Sequence, residues 1–124
     1  MTEIRLEHVS YAYGQDRILE DINLQVISGE VVSILGPSGV GKTTLFNSIA
    51  GILEVQSGRI VLDGEENPKG RVSYMLQKDL LLEHKTVLGN IILPLLIQKV
   101  DKAEAIARAD GILATFQLIA VRDK

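Results

Sequence analysis

Gly36, Gly41, Lys42 and Thr43 stand at the spacing G-x-x-x-x-G-K-[ST], the pattern of a loop that cradles phosphate. Successive backbone N–H groups in such a loop line a concave anion site, and glycine at Gly39 and Gly41 leaves room for a phosphate to approach. The start of the following helix adds N–H groups without an intrahelical partner and a partial positive charge. Lys42 would then reach the β- and γ-phosphates of a nucleotide, and the Thr43 hydroxyl would ligate Mg²⁺. The glycines at 36, 39 and 41 do not fit G-x-G-x-x-G, which argues against a dinucleotide fold or a kinase glycine loop.

Two elements must hold this loop in place. Residues 31–35 are almost continuously apolar, as in a central parallel strand covered on both faces. After Lys42, the residues Leu45, Phe46, Ile49 and Ile52 recur at helical spacing, and Gly51 supplies a stop. The reading is strand, loop, helix, and the fold class is α/β.

Bulk properties narrow the rest. A length of 124 residues allows one domain with a real core, not two. Thirteen basic against 16 acidic residues give a net charge of -3, which carries no electrostatic footprint for nucleic acid. The absence of cysteine excludes a disulfide framework and a thiolate metal site. Residues 1–5 lack the pattern of a signal peptide, and the longest apolar run, 91–97, is far below the ~20 residues of a membrane span. The composition favours a soluble protein.

Along the chain, Ile4, Leu6 and His8 alternate with charged residues, as in an edge-type strand, and Ile22, Leu24 and Val26 suggest a half-buried antiparallel strand. Residues 59–62 read as a strand closed by the Asp63-Gly64 turn, and 65–70 as a polar loop. A strand at 71–76 would deliver Gln77 at its carboxyl end, where ligands of open α/β sheets bind. Thr86 is placed to cap a helix that Pro94 should kink or end. Asp101 and Glu104 open another helix, along which Ile106, Ala109, Leu113 and Phe116 recur. His8 and His84 have no carboxylate or cysteine at ligand spacing and read as structural or surface residues.

Over residues 3–124 these motifs resemble the nucleotide-binding subunits of ATP-binding-cassette (ABC) transporters. The likeness rests on the phosphate loop, on Tyr11-Ala12-Tyr13-Gly14, and on Ile22-Asn23-Leu24 before Ser28-Gly29-Glu30. It extends through Ile49-Ala50-Gly51, Ser57-Gly58, Gln77 with Leu80-Leu81-Leu82, and Thr86-Val87-Leu88-Gly89-Asn90. The resemblance implies a P-loop NTPase core with an antiparallel β subdomain and the start of a helical subdomain at about 86–118. The chain would be the N-terminal part of one ATP-binding domain, an incomplete domain, because the family's Ser-Gly-Gly signature, catalytic Glu and switch His would follow Lys124. It implies ATP and Mg²⁺ as cofactors, with Tyr13 stacked on adenine and Gly36, Pro37, Ser38, Gly39, Val40, Gly41, Lys42, Thr43 and Thr44 around the phosphates. Lys42 and Gln77 would serve catalysis, and Thr43 and Gln77 the metal.

The partners implied are a transmembrane permease subunit, docking near Leu80, Leu81 and Leu82, and a second copy of the nucleotide-binding subunit. The location implied is cytoplasmic, peripheral to the membrane. Residues 74–79 and 93–95 look most like importers of the nitrate, sulfonate, taurine and thiamine-precursor group, although that group tends to carry Pro-Trp where Glu83-His84 stands. Gly89 also replaces the family's usual acidic residue, which removes a reciprocal capping bond. Two other readings stand beside this one: a non-catalytic nucleotide-binding or interaction fragment, and a different P-loop NTPase such as a small GTPase. Against the latter, no Asn-Lys-x-Asp run occurs.

Overall fold

Alternation over the first 27 residues produces a hairpin in which β1 (Glu3–Tyr13) pairs antiparallel with β2 (Asp16–Ile27). The computed structural model describes residues 3–66 and 68–124. In it, β3 (Ser57–Leu62) joins the other side of β1 and the short β4 (Glu65–Glu66) joins β3, giving the antiparallel order β2-β1-β3-β4. β1 is therefore an interior strand rather than an edge strand. Its charged alternation reflects a sheet face open to water, where Glu7 pairs with Arg5 at 2.7 Å and with Arg59 of β3 at 2.6 Å.

A bulge corrects the phase of the hairpin. His8 and Asp21 both take left-handed backbone, φ 50 and 47, and the register shifts between Leu6 and Val9, so both of those residues reach the core. Asn23 Oδ1 accepts the His8 N–H at 2.9 Å, Ser10 Oγ accepts the Asp21 N–H at 3.0 Å, and His8 Nδ1 lies 2.6 Å from Asp21 Oδ1. His8 thus has a carboxylate partner, across the hairpin where sequence spacing could not reveal it. At the far end of β3, Asp63 and Gly64 take φ 51 and 82, the backbone of a type I′ hairpin turn, as their types predict. β4 occupies the first two positions of the expected polar loop at 65–70, whose Asn67 lies outside the described residues, as do Met1 and Thr2 of the signal-peptide reading.

The helix α1 (Lys42–Ile49) covers the apolar side of the sheet. Leu45 joins Leu6, Val9, Leu19, Ile60 and Leu62 in one core, with Ile49 against it, while Phe46 and Ile52 are exposed. Two strands predicted from apolar patterning are absent. Residues 31–35 and 71–76 pair with no strand among the described residues. Burial alternates along 71–76, whereas in 31–35 only Ile34 is half-buried. Ile34 and Val72 pack on the core and Tyr74 Oη donates to Asn47 Oδ1 at 2.9 Å, whereas Val31, Leu35 and Met75 are 94%, 92% and 93% exposed. A parallel strand is made by neighbours bonding both its edges, and no such neighbour lies beside either segment among the described residues.

The chain divides into two units, Met1–Met75 and Leu76–Lys124, with separate cores where the length suggested one. In the second, α2 (Val87–Ile97) packs on α3 (Lys102–Thr115) through Ile92, Ala105 and Ala109. Thr86 Oγ1 caps α2 by accepting the Gly89 N–H at 3.0 Å. Pro94 does not end α2, which runs three residues further; proline removes a single N–H bond, and its carbonyl still accepts from Gln98 at 3.1 Å. Asp101 caps α3 through the Ala103 N–H at 3.2 Å, but Glu104 pairs with Arg108 one turn on.

The Glu7 cluster sets a pH dependence. Hydrogen bonding from Arg59, ahead of its charge and that of Arg5, holds the Glu7 carboxyl below its ordinary value of 4.5. A depressed carboxylate stabilises the fold above the ordinary value, and that contribution is lost as pH falls through the lower, folded value. The variant Glu7→Gln should therefore show a shallower fall in urea midpoint than wild type between about pH 5 and pH 3. Parallel curves for the two proteins would mean that the cluster contributes nothing.

Candidate functional site

The phosphate-type loop joins residues 31–35 to α1, and its backbone is the left-handed kind that glycine allows. Gly39 has φ 82 with open space where a Cβ would stand. Gly41 has φ 107, and a Cβ there would lie 2.8 Å from Ile18 Cγ2 and 3.0 Å from the Ile18 carbonyl oxygen. Glycine at position 41 is thus required by packing on β2. At Gly36 a Cβ would meet Val40 Cγ1 at 2.9 Å, so the two ends of the loop touch across it.

Lys42 folds back over this ring. Its Nζ donates to the carbonyl of Gly36 and, at 2.8 Å, to that of Pro37. An ammonium group has three donors, so one remains to meet an anion. Gly41 occupies the N-cap of α1 without a side-chain cap, and the first intrahelical bond is from Leu45 N–H to the Gly41 carbonyl at 3.0 Å. The amides of Lys42, Thr43 and Thr44 precede that bond. No acidic residue stands in the first turn to compete for them. Thr43 is exposed beside them with its hydroxyl free to face a ligand, and Ser38 is exposed in the loop. Thr44 is buried, so its amide rather than its hydroxyl is the group available.

Tyr13 ends β1, half exposed, with its ring 4.9 Å from that of Tyr11 at 73°, an edge-to-face pair that fixes its orientation. The hairpin that carries Tyr13 touches the loop, because Ile18 of β2 lies against Gly41. Sequence reading missed Ile18 by starting β2 near Ile22. The signal was there in Ile18-Leu19, which continues the strand once the Asp21 bulge is allowed for. Gln77 belongs to the second unit. With no strand at 71–76, it is not presented by a strand end but lies exposed in a bend that opens the second unit. A separate cleft of about 660 Å³ in the first unit is lined by Gly51, Glu54, Arg59 and Glu66 among others, and by no residue of the loop.

The donor set suits a nucleotide triphosphate with Mg²⁺: free amides at a helix start, one ammonium donor and a threonine hydroxyl, in a ring closed by glycines. Among the described residues no group of three or more His, Asp or Glu forms a cage of its own for a cation.

Comparison with known proteins identifies the family. A family model described as ABC transporter matches residues 19–124. The spermidine/putrescine import ATP-binding protein PotA of Aggregatibacter actinomycetemcomitans is 38% identical over 126 residues, covering 98% of this chain and 34% of that protein. The uncharacterized ABC transporter ATP-binding protein YtlC of Bacillus subtilis is 36% identical over 130 residues, covering 100% of this chain and 50% of its own. A solved dimeric ATP-binding cassette bound to ADP and Pi superposes with a TM-score of 0.77 at 26% identity, over 97% of this chain and 60% of that one. The chain spans a third to a half of the curated relatives it matches. A glycine-rich loop and helix on a small antiparallel sheet, followed in sequence by a helical pair, accompany a match to that family model over residues 19–124, and the chain belongs to the ABC transporter family.

Proposed function

We propose that residues 36–44 and Tyr13 bind ATP, and that the complete subunit hydrolyses it to power the movement of a solute across a membrane. The observation that carries this reading is Lys42 held over the Gly36 and Pro37 carbonyls with a donor to spare, beside three free amides and the Thr43 hydroxyl. The amides of 39–44 would take the β-phosphate, Lys42 the β- and γ-phosphates, and Tyr13 one face of the adenine. Thr43 would hold Mg²⁺, whose charge neutralises the phosphates when bound. Gln77 would complete the metal's surroundings and orient the attacking water.

The partners in this reading are a transmembrane permease and a second copy of the subunit, with the protein on the cytoplasmic side. No helix among the described residues is long and apolar enough to cross a membrane, and in this reading the permease supplies the membrane path. The names of relatives, import ATP-binding proteins for spermidine/putrescine and for sulfate/thiosulfate, support the direction of import without choosing the solute.

A second reading, binding without turnover by these 124 residues alone, is favoured by the absence of any acidic residue between Val31 and Thr44. Phosphoryl transfer to water needs an oriented nucleophile as well as neutralised phosphates, and the loop supplies only the second. Titration calorimetry should give ATP and GTP affinities within about tenfold of each other, because stacking is tolerant of base identity. Phosphate release should match a Lys42→Ala control. A strong GTP preference would overturn the adenine assignment, and Lys42-dependent turnover would overturn the division of labour.

A further inference from the structure

Asn90 spends its side chain on the loop that precedes its own helix. Its Oδ1 accepts the Leu82 N–H at 2.7 Å, while Nδ2 donates to the carbonyls of Leu82 at 3.1 Å, Thr86 at 3.1 Å and Lys85 at 3.4 Å. An amide side chain offers two N–H donors and one carbonyl acceptor, so this arrangement uses nearly all of its capacity. Gripping both the N–H and the C=O of Leu82 copies what a neighbouring strand would do. Lys85 N–H also donates to the Leu82 carbonyl at 3.0 Å, so the loop turns on the residue that Asn90 holds.

The other free groups at this helix end go to a third segment. Val87 N–H donates to the Lys124 carbonyl at 2.9 Å and Leu88 N–H to the Arg122 carbonyl at 2.8 Å, two donors that nothing inside α2 can satisfy. Arg122 in turn reaches Asp110 of α3 at 3.1 Å. These tertiary partners hold a turn that is weak by itself. Gly89 costs ~1 kcal/mol against alanine in a helix, and no acidic residue meets the dipole in the first turn.

We propose that Asn90 is a positioning residue for residues 77–86, the segment with Gln77, Leu80 and Leu81, and that the first turn of α2 couples this segment to residues 122–124. A displacement of the loop is then passed to the chain beyond α3 through one helix end with few bonds of its own. Any effect on the water that Gln77 would orient rests on the reading of Gln77 given above; the mechanical junction does not.

Hydrogen exchange on the whole chain tests it. In Asn90→Ala the Leu82 amide should exchange at least about tenfold faster, with Ala109 and Leu113 of α3 unchanged. In Asn90→Asp, the ionised carboxylate can still accept the Leu82 N–H but faces three carbonyls that it repels, opening the loop, whereas a protonated carboxyl can donate to one of them. Protection at Leu82, corrected for the intrinsic rate, should therefore return in that variant as pH falls below the carboxylate range, a response that packing alone would not give. Arg122→Ala should loosen Val87 and Leu88, and with them Leu82. A uniform rise across α2 and α3 in Asn90→Ala, or no change at Leu82, overturns the positioning role. A Leu82 amide unmoved by Arg122→Ala overturns the coupling. ATP titration of the wild type decides the functional reading separately, and its failure leaves the Leu82 result intact.

Discussion

Gly58→Ala lowers the stability of the first unit by about 3–5 kcal/mol, while Gly64→Ala costs only about 1–2. Both glycines have positive φ, 75 and 82, so alanine pays a similar backbone cost at each. They differ in what the new methyl meets. At Gly64 it stands in open space in the type I′ turn, whereas at Gly58 it would lie 2.1 Å from the His8 carbonyl oxygen and 2.4 Å from that of Glu7. Backbone oxygens cannot swing aside as a side chain can, so β3 must shift from β1 at the bulge. Leu6, Val9, Ile60 and Leu62, which those strands bury, lose packing together. Thermal melts should show the Gly58 variant lower by roughly 15 °C or more for a unit of this size. Equal losses at the two positions would mean that the cost lies in φ alone and that β1 and β3 are not so closely apposed.

Lys42→Ala weakens ATP binding by about 10- to 100-fold, the worth of one hydrogen bond to a charged group. The loss should fall on affinity rather than on the fold, because the hydrogen bonds of Lys42 among the described residues go to the loop carbonyls of Gly36 and Pro37. Its melting temperature should therefore stay within a few degrees of wild type, in contrast to Gly58→Ala. An unchanged affinity would remove Lys42 from the phosphate site. A collapse in stability would make its bonds to Gly36 and Pro37 structural.

The geometry of the loop at 36–44 was legible because everything that makes it is local: Gly39 and Gly41 supply the left-handed backbone, and Leu45 with Ile49 the face of the helix behind it. The Asp63-Gly64 turn and the Thr86 cap were legible for the same reason. Where partners are distant in sequence, the pattern misled or stayed silent. Residues 31–35 and 71–76 carry the composition of buried strands, but composition records the neighbours a strand suits rather than those beside it. The opposed left-handed residues His8 and Asp21 shift the alternation of β1, which is why Leu6 and Val9 are both buried and why Ile18 was missed as the floor under Gly41. Asn90 is an ordinary polar residue in a helix until the loop folds back onto it.

The most direct test of phosphate binding by residues 36–44 is hydrogen exchange across the chain with and without Mg²⁺ and ATP, for wild type and Lys42→Ala. Saturable protection of the amides from Gly39 to Thr44, weakened in the variant, is the result this account predicts. Protection that leaves those amides untouched and appears instead around the cleft lined by Gly51, Glu54, Arg59 and Glu66 would contradict it.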